Sequence, residues 1–197
     1  MIHLDRKAAL VVVDVQMGFN DLAYWGKRNN PACEANIGAL LDAWEATKRP
    51  IVLVRHDSVS PESPLRPGHP GNRFKPEVEG RRHDLLVSKV VHSSFHGTPD
   101  LHAWLKGERI TQVVVAGITT NMCCETTSRV ASDLGYDLLF AVDATHAFDL
   151  KAPDGTVVTA DELTRATMAT LHADFGRIAK TADLVAEAYA YAGATSA

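Results

Sequence analysis

A chain of 197 residues with 46% hydrophobic residues is long enough to bury one sizeable core, and we expect a single domain that spans residues 1–197. Its formal net charge of −4 and its scattered Lys and Arg residues argue against nucleic acid as a partner. Because no apolar stretch approaches the roughly 20 residues that span a bilayer, and no signal peptide is recognisable, we expect a cytoplasmic protein without a membrane partner.

Six apolar runs rich in Val, Ile and Leu predict the strands of a parallel sheet. In chain order they lie at residues 8–14, 50–55, 84–91, 111–117, 137–143 and 177–180. They do not alternate between apolar and polar residues, so both faces of the sheet should be covered. Amphipathic segments between the runs predict helices at residues 30–48, 98–108, 121–135 and 160–176. This alternation predicts a three-layer α/β domain with its site at the carboxyl ends of the strands.

Two irregular segments are expected to shape the pocket. The first, residues 20–30, follows the first strand and carries Tyr24 and Trp25, which fit an aromatic pocket wall as well as surface packing or a subunit contact. The second, residues 56–82, contains five of the nine prolines. A loop of this length in a compact domain is more often functional than idle, and we expect it to cover an edge of the sheet.

Three reactive side chains are predicted to meet at one edge of the sheet. Asp14 ends the first strand, Lys89 interrupts the third, and the fourth runs through Gly117 towards Cys123 and Cys124. A thiol with a carboxylate and an ammonium group beside it is a nucleophile with a base and a charge partner. Taken singly, each residue also fits a structural role: a strand-end cap, a solvated lysine or a buried thiol. Their joint position favours chemistry.

The spacing separates the two adjacent cysteines. Three cysteines are too few for a disulfide scaffold, and we expect free thiols. Asn121 is predicted to be the N-cap of the helix, which puts Cys123 in the first turn, where unpaired N–H groups and the helix dipole favour a thiolate. Cys124 lies about 100° further around and is expected to pack against the sheet. The residues on that face are Ser128, Ala131 and Leu134.

Four segments, spread along most of the chain from residue 11 to residue 176, carry a family resemblance. They are "VVVDVQMGF" (11–19), "SKVVHSSFHGT" (88–98), "VVVAGITTNMCCETTSRVASDLGYDLLFAVDA" (113–144) and "FDLKAPDGTVVTADELTRATMATLHADFG" (148–176). Their order and spacing resemble those of the isochorismatase-like cysteine hydrolases. That superfamily includes nicotinamidases, N-carbamoylsarcosine amidohydrolases and ureidoacrylate hydrolases.

The resemblance implies that Asp14, Lys89 and Cys123 form a catalytic triad. It also implies a cis peptide bond between Ile118 and Thr119, with the N–H groups of Thr119 and Cys123 forming an oxyanion hole for the substrate oxygen. In the implied mechanism, Asp14 takes the proton of Cys123 while Lys89 stabilises the charges. The thiolate then attacks a carbonyl to form a thioester, which water hydrolyses by the same route.

Other properties follow from the same resemblance. Gln16 and Phe19 match positions that support or line the substrate pocket. The implied fold is a doubly wound parallel sheet of order 3-2-1-4-5-6 with helices on both faces, in agreement with the hydrophobic pattern. No cofactor is required, and the protein is expected to bind a small-molecule substrate and to form a homo-oligomer, either a dimer or a tetramer.

Two departures from family patterns bear on the reaction. Nicotinamidases that hold a metal carry an Asp-x-His pair just after the second strand, whereas His56, Asp57 and Ser58 here do not fit that pattern, so we expect no metal. True isochorismatases, which cleave a vinyl ether, lack the nucleophilic cysteine. Its presence predicts hydrolysis of a C–N bond in a small linear amide or carbamoyl compound.

Two rival functions are considered. The chain could be a small-molecule binding or scaffold protein that keeps the fold without turnover, or a redox protein that uses a vicinal disulfide. The second is disfavoured because adjacent cysteines close a strained ring that would distort the helix.

His92 and His96 are four residues apart, but "SSF" separates them and "GTP" follows, so surface or pocket-wall roles are expected rather than a helical metal pair.

Overall fold

The strands build one parallel sheet in the predicted order. The computed structural model describes residues 2–193, with side chains up to residue 190, so the predicted domain 1–197 extends past the described residues at both ends. In chain order the strands are β1 (Ala9–Val13), β2 (Ile51–His56), β3 (Leu85–Lys89), β4 (Gln112–Ile118), β5 (Asp137–His146), β6 (Leu150–Lys151), β7 (Val157–Val158) and β8 (Arg177–Ala179). Six of them pair in parallel in the order β3-β2-β1-β4-β5-β8. The predicted α/β fold and sheet order are therefore confirmed, with β8 as the sixth strand of the sheet.

Helices cover both faces of this sheet. They are α1 (Leu22–Trp25), α2 (Cys33–Ala46), α3 (Leu101–Gly107), α4 (Glu125–Asp133), α5 (Ala160–Thr170) and α6 (Thr181–Gly193). Helices α2 and α6 pack on one face, and α3, α4 and α5 pack on the other. Within residues 2–193, no helix is long and apolar enough to cross a bilayer.

The two faces of β1 show why its sequence does not alternate. Leu10 and Val12 join the core beneath α2 and α6, whereas Val11 and Val13 join the core beneath α3 and α4. All four side chains are at most 1% exposed. A strand with helices on both sides needs apolar residues at every position, because neither face reaches water.

Several predicted elements differ in extent. The apolar run at 84–91 ends as a strand at Lys89, and Val90 and Val91 are 54% and 44% exposed. Strand β5 runs on to His146, past the predicted end at residue 143, and a register shift in its pairing with β4 accompanies the extension. The hairpin of β6 and β7 and helix α6 were not predicted.

Gly117 allows β4 to approach the end of β1 closely. Its φ is +132°, a region that side chains rarely adopt. A Cβ atom there would lie 2.1 Å from the carbonyl oxygen of Val13, the residue before Asp14. Glycine at this position therefore sets the spacing of two strand ends that carry reactive groups.

We expect Gly117→Ala to lower the free energy of unfolding by at least about 3 kcal/mol, because it adds both a clash with backbone and an unfavourable φ. Urea denaturation of the purified variant measures the loss. Gly38→Ala is the matched control: Gly38 lies within α2, and a Cβ there meets nothing within 4 Å. That control should gain about 0.5–1 kcal/mol from helix propensity. Equal stability of the two variants would contradict the role given to Gly117.

Candidate active site

The structure brings the three predicted reactive residues into contact. Lys89, at the end of β3, places Nζ 2.5 Å from Oδ2 of Asp14 and 3.4 Å from Sγ of Cys123. Asp14 follows β1 directly, and Cys123 lies in a π-helical turn, Thr120–Cys124, that follows β4. The residues are 0% (Asp14), 2% (Lys89) and 7% (Cys123) exposed. A carboxylate, an ammonium group and a thiol therefore share one largely dry space.

The backbone turns sharply at Asp14. Its N–H still donates to the carbonyl oxygen of Val54 on β2 (2.9 Å), but its φ is +52°. Asp tolerates this left-handed conformation better than most residues do. One carboxylate oxygen, Oδ2, is held by Lys89, while Oδ1 is buried and has no partner in the described structure. Oδ1 is therefore free to accept a proton.

The helix register around the cysteines differs from the prediction. The helical segment begins at Thr120, with Thr119 flanking it and no side-chain cap, so the prediction that Asn121 is the N-cap is wrong. A π turn carries one more residue per turn than an α turn does, which the spacing argument did not allow for. Cys124 is fully buried in the core, as are Ser128 and Ala131 on the same face. Leu134, which was also expected on this buried face, is instead 42% exposed.

The electrostatics of the site favour a protonated thiol at rest. Burial, reinforced by the Asp14 carboxylate, raises the pKa of Cys123, and Lys89 only partly opposes this. Desolvation therefore opposes the thiolate that the position near a helix start was expected to favour. Burial alone would lower the pKa of Lys89, but Asp14 and Cys123 outweigh it and the pKa is raised. The resting site therefore holds a thiol and an ammonium group.

The peptide bond between Ile118 and Thr119 is cis. It lies at the end of β4, directly before the π turn that carries Cys123. Thr119 and Cys123 both line the same cavity. The two residues whose N–H groups were assigned to the oxyanion hole are therefore adjacent to the space that a substrate would enter.

That cavity is small, about 120 Å³, and mostly apolar. Its lining residues are Asp14, Phe19, Trp25, His56, Leu65, His92, Thr119, Met122 and Cys123. Phe19 and Trp25 form an aromatic wall of the cavity, with 4.8 Å between their ring centroids. Phe148, which does not line the cavity, stacks on Phe19 (6.2 Å) and supports this wall. Tyr24 touches Trp25 from outside and is 47% exposed. Leu65 and Met122 were not anticipated, because isolated apolar residues in loops carry no signal of their own.

Gln16 supports the cavity from behind. Its side-chain Nε2 donates to the carbonyl oxygens of His56 (3.0 Å) and Asn72 (2.9 Å), and its Oε1 accepts from the N–H of His56 (2.8 Å). Both ends of the side-chain amide are therefore hydrogen-bonded to backbone groups, and Gln16 is 0% exposed. It connects the ends of β1 and β2 to the segment 56–82 rather than facing the cavity.

A partly buried ionic cluster joins both pocket loops to α2. Glu34, in the first turn of α2, accepts from Arg28 (2.6 and 2.8 Å) and from Lys75 (2.6 Å). Lys75 is 3% exposed and also donates to Asn20 (2.8 Å). Burial would raise the pKa of Glu34, but the hydrogen bonds from both cations lower it to about 2. The loop 20–30 and the segment 56–82 are thereby fixed to one carboxylate.

One cluster of possible metal ligands overlaps the site. Oxygen, nitrogen and sulfur atoms of Asp14, His56 and Cys123 lie within 4.8 Å of one another. The ammonium group of Lys89 contacts all three, at 2.5 Å, 3.2 Å and 3.4 Å respectively. Because a cation would have to take the place of this ammonium group, the donor set fits a metal poorly.

The chain is similar to known proteins over most of its length. The model of the isochorismatase domain matches residues 8–183. The isochorismatase family protein YrdC of Bacillus subtilis is 36% identical over 92% of this chain and 96% of its own length. Nicotinamidase 3 of Arabidopsis thaliana is 28% identical over 77% of this chain and 79% of its own. A crystal structure from Chromobacterium violaceum, assigned to the isochorismatase family, superposes with a TM-score of 0.89 and 37% identity, covering 95% of this chain and 96% of that one.

Glu34→Gln should lower the free energy of unfolding by about 3 kcal/mol at pH 7, since it leaves Arg28 and the buried Lys75 without a counter-charge. A carboxyl group whose pKa falls from 4.5 to about 2 on folding stabilises the protein above pH 4.5 and loses that effect as the pH falls towards 2. The difference in the free energy of unfolding between wild type and Glu34→Gln should therefore become smaller as the pH is lowered.

Urea denaturation at pH 7, 5 and 3 measures this difference. Asp42→Asn is the control, because Asp42 pairs with Arg81 (2.7 Å) but its side chain is 62% exposed, and such pairs contribute under about 1 kcal/mol. A difference that stays constant from pH 7 to pH 3 would contradict the coupling of Glu34 to its cations.

Proposed function

The chain belongs to the isochorismatase family of hydrolases, and from that premise we propose that it is a cysteine-dependent amidohydrolase. It cleaves a C–N bond of a small linear amide or carbamoyl compound through a thioester on Cys123. The observation that carries this proposal is the contact of the Lys89 ammonium with both Asp14 and Cys123 beside a cavity. The size of that cavity, about 120 Å³, and its apolar lining favour a compact, uncharged acyl group.

Acylation begins with proton transfer from Cys123 to Asp14. The sulfur attacks the carbonyl carbon, and the N–H groups of Thr119 and Cys123 bind the oxyanion. Asp14 then gives the proton to the leaving nitrogen as the C–N bond breaks. The products of this half-reaction are a thioester and a neutral amine or ammonia, and water hydrolyses the thioester.

Lys89 makes the proton transfer feasible in a dry site. Before the transfer the negative charge is on Asp14, 2.5 Å from the ammonium group, and afterwards it is on sulfur, 3.4 Å away. The charge therefore moves between two neighbours of the same cation and is never left unpaired. This is preorganised electrostatic stabilisation of the kind that lowers barriers in sites closed to water.

The remaining features of the proposal concern the whole protein. We place it in the cytoplasm, as one domain over residues 1–197 that forms a homo-oligomer and uses neither metal nor cofactor. Its three cysteines are free thiols in the structure, which suits a reducing compartment. The ammonium group of Lys89 in the centre of the possible ligand cluster supports a metal-free site.

The alternative is a binding or scaffold protein with the same fold. A screen of linear amides, carbamoyl compounds and nicotinamide for ammonia release by the purified protein separates the two. A binding protein would release none, and a thiol probe would label Cys123 no faster than it labels a small-molecule thiol. The contact of all three reactive groups favours the enzyme.

Cys123→Ala and Cys124→Ala should fail in different ways. The first removes the nucleophile, so hydrolysis should vanish, and because the sulfur borders the cavity the melting temperature should fall less than it does for Cys124→Ala. The second removes a buried sulfur from the core and should cost about 1 kcal/mol of stability while most activity remains. Steady-state assays and thermal melts measure the two effects, and each variant is the control for the other.

The two adjacent sulfur atoms also allow a direct test of which one carries the acyl group. Mass spectrometry of the peptide that spans both sulfurs should find the acyl group of a substrate or electrophilic analogue on Cys123 alone. An adduct on Cys124, or turnover by Cys123→Ala, would overturn the proposed mechanism.

Activity should survive prolonged chelation. Every step above uses only side chains and backbone of this chain, so dialysis against EDTA should leave the rate unchanged, and elemental analysis should find no stoichiometric zinc, iron or manganese. Loss of turnover with EDTA that one of those ions restores would show that the reaction depends on a metal. Cys123→Ala treated in the same way controls for background hydrolysis.

A further inference from the structure

His92 lies against the sulfur of Cys123 and has no role in the scheme above. Its Nδ1 is 3.5 Å from Sγ, a distance similar to that between Sγ and the ammonium group of Lys89. His92 follows β3 by three residues and lines the cavity. From its sequence context, His92 was expected to have only a surface or pocket-wall role.

His92 and Asp14 differ in their access to water. Asp14 is 0% exposed, whereas His92 is exposed. After acylation the amine must leave, and a water molecule must reach the thioester carbon from solvent. The imidazole both lines the cavity and is exposed, so it lies where the cavity meets solvent, whereas the Asp14 carboxylate lines the same cavity from a buried position.

We propose that His92 is a second catalytic residue, which serves the hydrolysis of the thioester as Asp14 serves its formation. Water attacks the carbonyl carbon and gives one proton to Nδ1 of His92. The tetrahedral intermediate then collapses, the C–S bond breaks with its electron pair on sulfur, and His92 returns the proton to Sγ. Thioester and water become carboxylic acid and thiol, and His92 ends as it began.

The state of the resting thiol agrees with this assignment. A thiol whose pKa is raised by burial is a poor leaving group as a bare thiolate, so protonation of sulfur during C–S cleavage helps its departure. The group that touches Sγ from the exposed side is placed to supply that proton. The assignment rests on the proposed function, because it requires a thioester on Cys123.

The test compares His92→Gln with His96→Gln. Glutamine keeps hydrogen-bonding capacity at position 92 but does not carry a proton as imidazole does. His96 is exposed, four residues away, and is not among the residues that line the cavity, so its variant controls for the loss of a histidine from this loop. Rapid-quench measurement of amine release and intact-mass spectrometry of the quenched protein give the rates of the two half-reactions.

For His92→Gln we expect kcat to fall at least about 100-fold, the usual minimum for a general acid or base. The first turnover should remain within about 3-fold of wild type, because acylation uses Asp14, and the acyl group should accumulate on Cys123. Added imidazole should restore part of the rate, which a purely structural defect would not allow. His96→Gln should match wild type in every measurement.

Two results would overturn the role of His92 and leave the proposed function intact. One is an unchanged kcat for His92→Gln with acyl transfer to Cys123 still detected. The other is an equal fall in acylation and turnover without accumulation of acyl-enzyme. If neither wild type nor His92→Gln ever carries an acyl group on Cys123 during turnover, the proposed function itself fails.

Discussion

The ion pair between Lys89 and Asp14 is the interaction on which the rest of the site depends. Both side chains are fully buried, so each charge relies on the other, and removing either would leave an uncompensated charge in the interior. The pair joins two strands that are not neighbours: β2 lies between β1 and β3. It forms because the parallel register sets Val13 opposite Val54 and His56 opposite Lys89, which brings the ends of three strands to one level.

This constraint explains the state of the thiol. Cys123 is placed in an environment that opposes a second negative charge as long as Asp14 is ionised, and its pKa is raised accordingly. In the proposed mechanism, nucleophile and base are therefore coupled, since proton transfer moves the negative charge from Asp14 to sulfur. For the proposed hydrolase, a site of this kind would keep the thiol from ionising, and hence from side reactions of the thiolate, until a substrate carbonyl group is bound.

The sheet and the convergence of Asp14, Lys89 and Cys123 could be anticipated because they follow from local patterns. Continuous apolar runs predict covered parallel strands, and the ends of such strands share an edge. Asn121 as N-cap failed because no residue type distinguishes a π turn from an α turn. The cluster around Glu34 and the approach of His92 to the sulfur could not be predicted, because they depend on contacts between segments that are distant in sequence. Hydrophobic periodicity and turn residues give information about local structure only. The side-chain amide of Gln16, which bonds to backbone across 40 residues, belongs to the same class.

The charged and reactive groups and the walls of the cavity therefore come from different parts of the fold. The reacting groups are held by strand ends, where Gly117 and the register leave little freedom. The cavity walls come mainly from the loop 20–30, the segment 56–82 and the π turn, and the first two are joined to each other through a shared carboxylate, Glu34. In the proposed chemistry, changes in those walls can alter which acyl group fits, while the parallel register of β1, β2 and β3 keeps the ion pair in place. In the proposed chemistry, the few residues around Phe19, Leu65 and Met122 therefore carry more information about the acyl group than the residues of the strands do.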